Sequence, residues 1–148
     1  MSIHKLDTLV YVGQKAFINK HGKVLVLKDP NYAVNGNVGL DFPGGKYRFG
    51  KNIFDELRRE VTEETGLKIK IGRPFVTWTN YKHKEADKSS RANVYCVGYL
   101  SEYVSGTIRL SDEHTDFEWV DEKSYIKWKE DTQYFEALKE YFRLIEGT

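Results

Sequence analysis

Arg59-Glu60-Val61-Thr62-Glu63-Glu64-Thr65-Gly66-Leu67 packs three carboxylates and one arginine into six residues, directly after a glycine-rich turn. Glycines let backbone approach phosphate oxygens closely, and carboxylates gathered on a helix can hold a hard cation such as Mg2+. The chemistry these residue types support is metal-assisted attack on a phosphorylated substrate. A helix of about 3.6 residues per turn brings positions three and four apart to one side, so Glu60, Glu63 and Glu64 are expected to share a face. Like charges so placed repel, and a cation between them would reverse that penalty. The alternative is a solvated acidic face, and the flanking glycines and the embedded arginine weigh against it.

The helix that must carry these groups has its own signals. Asn52 can cap its start, Asp55 and Glu56 suit the positive end of the helix dipole, and Gly66 stands where a left-handed residue would end it.

The stretch Gly45 to Leu67 resembles the Nudix box of the Nudix (MutT-like) hydrolases, G-x5-E-x7-R-E-U-x-E-E-x-G-U with U apolar. Gly45, Arg59, Glu60, Val61, Glu63, Glu64, Gly66 and Leu67 match eight of the nine specified positions. The setting agrees: Leu40-Asp41-Phe42-Pro43-Gly44-Gly45 is similar to the strand and Pro-Gly-Gly that lead into the box. Ser111 to Val120 is similar to a late family segment, a carboxylate-bearing loop running into a strand with Trp-Val. The resemblance implies one Nudix domain over residues 1–148, an α+β chain folded as an α/β/α sandwich around a central mixed β-sheet.

The departure from the pattern is Lys51, which stands where the first glutamate is expected. In the family that glutamate orients the box arginine or supports the metal site. Glu56 is i,i+3 to Arg59 and i,i+4 to Glu60, so it can supply the missing carboxylate, with Lys51 pairing to it or contacting a phosphate. Lys51 also makes Gly45 to Asn52 nearly a P-loop. Asn52 replaces the hydroxyl residue that motif needs, however, and the chain lacks its alternation of strands and helices.

The resemblance further implies a Mg2+-dependent pyrophosphohydrolase (Mn2+ being possible) that cleaves a nucleoside diphosphate linked to another moiety. On that reading Glu60, Glu63 and Glu64 bind the metal, and Arg59 orients a glutamate or stabilises developing charge. Glu64 or Glu113 takes the proton of the attacking water, with Asp112, Asp116 and Glu118 as competitors of Glu113. Gly44, Gly45 and Lys51 would meet the substrate phosphates, and Trp78 and Tyr81, on a strand after the box, could stack a base. Two other readings stand beside this one. A catalytically impaired domain would bind nucleotide as a sensor, which the three retained glutamates oppose. Isoprenoid isomerisation on the same fold would use a Cys and a Glu together, and the chain shows no plausible pair of that kind.

Composition sets the remaining bounds. A length of 148 residues suffices for one core, and a net charge of +1 gives no strong signal for nucleic acid or membrane. The single Cys96 excludes an internal disulfide and, with four scattered histidines, gives no zinc-binding spacing. No run spans a bilayer and the start lacks a signal-peptide core, so a cytoplasmic location is the expectation. Little chain precedes the first strand, which favours nucleoside triphosphates or dinucleoside polyphosphates over ADP-ribose. Oligomeric state is open.

Strands are expected over Asp7 to Gly13, Ala16 to Lys28, Lys68 to Ile71, Phe75 to Tyr81, Ala92 to Leu100, Gly106 to Leu110 and Phe117 to Val120. The stretch Asp29 to Asn37 reads as a loop, and His83 to Arg91 as a polar hairpin loop. Phe135, Leu138, Phe142 and Ile145 recur at helical spacing behind Thr132, a candidate cap.

Overall fold

A computed structural model describes residues 10–34, 37–79, 93–130 and 132–147. In chain order the elements are β1 (Tyr11–Lys20), β2 (Lys23–Val34), β3 (Asn37–Asp41), β4 (Gly44–Lys46), α1 (Ile53–Thr65), β5 (Lys68–Thr79), β6 (Val94–Ser105) and β7 (Asp116–Val120). A 3-10 turn (Tyr125–Trp128) and α2 (Gln133–Glu146) follow.

The sheet runs β3-β2-β1-β6-β5, with β4 paired to β1 and β7 paired to β2. β1 and β6 are parallel, while β1 with β4, β2 with β3 and β7, and β5 with β6 are antiparallel, so the sheet is mixed. Side chains alternate across a strand, and two cores result. Ala16, Ile18, Leu25 and Leu27 pack with Leu57 and Val61 of α1. Phe17, Val24 and Val26 pack with Phe135, Leu138 and Phe142 of α2. The expected α/β/α sandwich follows directly from this alternation.

Both helix starts obey their caps. Asn52 accepts from the Phe54 and Asp55 amides, and Thr132 accepts from Phe135. Gly66 ends α1 in the left-handed region at φ 77°.

Several sequence expectations need correction. The stretch Asp29 to Asn37 is not simply a loop: β2 continues to Val34 and β3 begins at Asn37. Pro30 falls in a register shift between Asp29 and Val34, where a missing N–H is tolerated. Lys68 to Ile71 and Phe75 to Thr79 form one long β5, broken only by irregularities around Pro74. Gly106 to Leu110 is not a strand. It crosses the end of α1, where Arg109 N–H donates to the Thr65 carbonyl and Ser111 N–H to the Glu64 carbonyl. Helix ends leave carbonyls unsatisfied, and this segment meets two of them instead of joining the sheet. Residues 7–9, Tyr81 and the loop 83–91 lie outside the described residues.

Phe17 is fully buried, with its ring centroid 4.1 Å from Phe42 and 4.8 Å from Phe75. Truncation to Phe17→Ala should cost about 3–5 kcal/mol of stability. Urea unfolding monitored by far-UV circular dichroism checks this, as a lower midpoint at unchanged slope.

Candidate active site

One cavity of about 480 Å3 is lined by Lys15, Asp29, Asp41, Glu60, Glu64 and Glu113, among others, with Gly44 and Gly45 in its wall. Its position follows from three junctions. Lys15 of β1 pairs with Gly44 of β4, bringing the glycines beside the first strand. Glu64 reaches back from α1 to accept a hydrogen bond from the Gly44 amide at 3.1 Å. The segment that covers the end of α1 then delivers Glu113 and His114 just before β7.

The glycines are required by contact. Gly44 has φ 143°, and a Cβ there would lie 1.9 Å from the Gln14 carbonyl oxygen. A Cβ on Gly45 would lie 2.5 Å from a carboxylate oxygen of Glu60. Backbone and acidic helix therefore touch directly, leaving the cavity in front of them.

The three box glutamates do not share one face in the expected way. Each residue advances about 100° around a helix, so Glu64 lies about 40° from Glu60 on one side and Glu63 about 60° on the other. Glu60 and Glu64 line the cavity. Glu63 is exposed, and both its oxygens accept from one nitrogen of Arg59 at 2.8 Å.

Arg59 is the hub of this side. It also donates to Glu60 at 2.7 Å and to Glu56 at 3.2 and 3.3 Å. Glu56 is buried and takes a two-pronged contact from Arg48, at 2.7 and 3.0 Å. Hydrogen bonds from Arg48 and then Arg59 pull the Glu56 pKa down to about 2. A carboxylate thus orients the box arginine from Glu56. Its second partner is Arg48 and not Lys51, which is exposed, outside the cavity and without an ion pair among the described residues.

Behind the cavity lies a buried chain of charges that sequence reading did not single out. Lys15 Nζ is 3.0 Å from Asp41 Oδ1, and His114 Nε2 is 2.9 Å from Asp41 Oδ2. Burial alone would raise the Asp41 pKa, but Lys15 and the His114 hydrogen bond hold it at about 2. Burial would lower the pKa values of Lys15 and His114, yet Asp41 raises both above their ordinary values. Glu64 is pushed up to about 7, by burial above all, against the opposing pull of Lys15. The signal for Lys15 was present in the sequence as a lysine, beside Gln14, in a strand whose other residues from Val12 to Ile18 are apolar or glycine. Asp41 and His114 gave no pattern of their own.

The other expected residues divide clearly. Glu113 lines the cavity. Asp116 pairs with Lys28, and Glu118 with Lys127 and Trp128, while Asp112 is exposed and outside the lining. Trp78, expected as a platform for a base, is a core residue with 5% exposure, edge-on to Phe17 and Tyr134. Buried between Phe17, Phe42 and Tyr134, it offers no open ring face on which a base could stack. Tyr134, packed on Trp78, lines the cavity instead. Cys96 is a free, buried thiol.

The NUDIX domain profile matches residues 13–141. The chain belongs to this family. It is similar to an ADP-ribose pyrophosphatase of Methanocaldococcus jannaschii, 25% identical over 92% of this chain and 75% of that one. It is also 32% identical to a nucleoside triphosphatase, NudI, of Escherichia fergusonii, over 52% of this chain and 57% of that one. Among solved structures, a MutT protein from Methanosarcina mazei superposes with a TM-score of 0.75 at 23% identity, covering 97% of this chain and all of that one. As a Nudix protein the chain is a hydrolase of phosphorus-containing anhydrides, in a family that acts on small nucleotide substrates with divalent cations. The residues fit such a cation: hard carboxylate oxygens converge on the cavity, and a ring nitrogen of His114 lies within 4.8 Å of ligand oxygens of Glu64 and Glu113.

Glu56→Gln keeps the side-chain shape but removes the charge that holds Arg48 and Arg59. Steady-state turnover should fall about 10- to 100-fold, the usual effect of losing a group that orients metal-site residues. Lys51→Ala, changed at the surface, should remain near wild type in the same assay.

Proposed function

We propose that this Nudix hydrolase is a Mg2+-dependent pyrophosphohydrolase cleaving a nucleoside diphosphate linked to a second group. The observation that carries the reading is the convergence of Glu60, Glu64 and Glu113 with the Gly44–Gly45 backbone on one cavity. Glu60 and Glu64 bind the cation, with Arg59 fixing Glu60 and holding Glu63 at the rim. A cation held there would supply charge to neutralise the bridging phosphates and polarise the attacking water. Glu113 or Glu64 takes the water proton, and the Gly44–Gly45 backbone lets the diphosphate lie close. Attack on one phosphorus breaks a P–O–P anhydride and leaves two phosphorylated products. The impaired-sensor reading loses its main support, since Glu56 already meets Arg59 as the missing glutamate would.

The relative matched over most of both chains is named for ADP-ribose. ADP-ribose therefore joins nucleoside triphosphates and dinucleoside polyphosphates as a substrate to test, although the sequence favoured the latter two. We take residues 1–148 as one Nudix domain and the cytoplasm as its setting; among the described residues no helix is long and apolar enough to cross a membrane.

Ion-exchange analysis of products from a panel of these compounds, with and without Mg2+, tests the reading. Wild type should release a nucleoside monophosphate or a related fragment only with the metal, and Glu64→Gln should lower turnover by about 10²-fold or more. Nucleotide binding without any turnover would favour the sensor instead.

The Glu64 pKa of about 7 gives a pH test in the metal-free protein. Its folded value lies above the ordinary 4.5, so its contribution to stability is present below that value and is lost as pH rises through 7. Cation binding needs the carboxylate, so apparent Mg2+ affinity should fall about tenfold per unit below pH 7 and level off above it. Calorimetric titration with MgCl2 at several pH values between 5.5 and 8.5 checks this.

A further inference from the structure

His114 is buried with a side chain 2% exposed, and Nε2 is committed to Asp41 at 2.9 Å. Its Nδ1 is fully buried and has no hydrogen-bond partner among the described residues. An unpartnered buried ring nitrogen is costly in a protein interior unless something meets it. Two carboxylates stand close to the ring: one ligand oxygen each of Glu64 and Glu113 and one His114 ring nitrogen lie within 4.8 Å of one another. Donor atoms around a cation at metal–nitrogen distances of about 2.1 Å stand roughly 3–4 Å apart, so a small inward movement closes the site.

The tautomer is fixed by the far side of the ring. Asp41 is a carboxylate, held by Lys15 and by the Phe42 amide, so it accepts and Nε2–H must donate. In its neutral form an imidazole so held presents a bare lone pair on Nδ1, and a cation there would stand in place of the proton that the surrounding carboxylates otherwise favour. A carboxylate behind the distal nitrogen is the arrangement that orients a metal-binding histidine and raises its basicity.

We propose that Glu64, Glu113 and His114 Nδ1 form an inner cation position that takes a first-row transition ion in preference to Mg2+. A nitrogen donor favours Mn2+, Co2+ or Zn2+, whereas Mg2+ favours oxygen and retained water. Glu64 is shared with the outer position at Glu60, so the inference rests on the metal-dependent reading of the same site. No local spacing points to it, because the histidines follow no zinc-type pattern and His114 would gain its role from Asp41, 73 residues away.

The test is pulsed electron paramagnetic resonance of the protein loaded with Mn2+, without substrate. Wild type should show nitrogen modulation from a directly bound imidazole. Selective 15N-histidine labelling should change that signal to the 15N pattern, without any mutation. In His114→Gln the side-chain amide can still donate to Asp41, but nothing replaces Nδ1. The modulation should then vanish, and Mn2+ affinity should fall by about tenfold or more while Mg2+ affinity changes less. Bound Mn2+ with no histidine nitrogen signal, or a signal unchanged in His114→Gln, overturns this inference and leaves the hydrolase reading intact. Absence of any Mn2+ or Mg2+ binding overturns both.

Discussion

The burial of Lys15 against Asp41 is the constraint from which the rest of the site is built. A lysine in the middle of an apolar strand cannot stay charged inside a protein unless an opposite charge meets it closely. Asp41, at the end of β3, supplies that charge at 3.0 Å and so ties β3 to β1 across the floor of the cavity. The same carboxylate holds His114, which fixes the loop that carries Glu113. Removing one member of such a buried pair commonly costs about 3–5 kcal/mol, because the other is left uncompensated. The pair therefore acts less as a source of stability than as a demand that three segments meet at one place.

On the opposite wall, geometry rather than charge sets the limit. The Gly44 backbone lies so close to β1 that no Cβ fits there, and a Cβ on Gly45 would push the Glu60 carboxylate aside. This closeness lets Glu64 accept from the Gly44 amide and keeps the α1 carboxylates at the mouth of the glycine turn. Arg59 then pairs with Glu63, Glu60 and Glu56 from the outer side, and Arg48 adds a second positive charge at Glu56. The acidic helix is thus balanced on its solvent flank, and its uncompensated charge is directed inward.

Much of this fold could be read from local signals. Asn52, Thr132 and Gly66 set the helix ends, and apolar runs marked most of the strands. Where reading failed, the cause was an interaction distant in sequence. Gly106 to Leu110 has the composition of a strand but satisfies the carbonyls at the end of α1. Trp78 has the composition of a base platform but stands on the face that α2 covers. The box glutamates were recognisable as a set, yet their division into Glu60 and Glu64 against Glu63 depends on Arg59. The exchange at Lys51 was half readable. Helix periodicity brought Glu56 to Arg59, but its second partner, Arg48, comes from the turn before the helix.

Charge in the cavity argues for what must enter it. Asp29, Asp41, Glu60, Glu64 and Glu113 line it, while Lys15 is absorbed by Asp41 and Lys46 lies over the Tyr11 ring. Without a further positive charge, burial is strong enough to keep a proton on Glu64 near neutral pH. A phosphate group alone would worsen this balance, since it adds negative charge to a site already acidic. On the proposed reading, a divalent cation would change the sign of the problem: bound at Glu64 it would take the place of the proton and offset the carboxylates, so that the same cavity would attract a diphosphate. Metal and substrate would then be coupled through Glu64, each binding more tightly in the presence of the other.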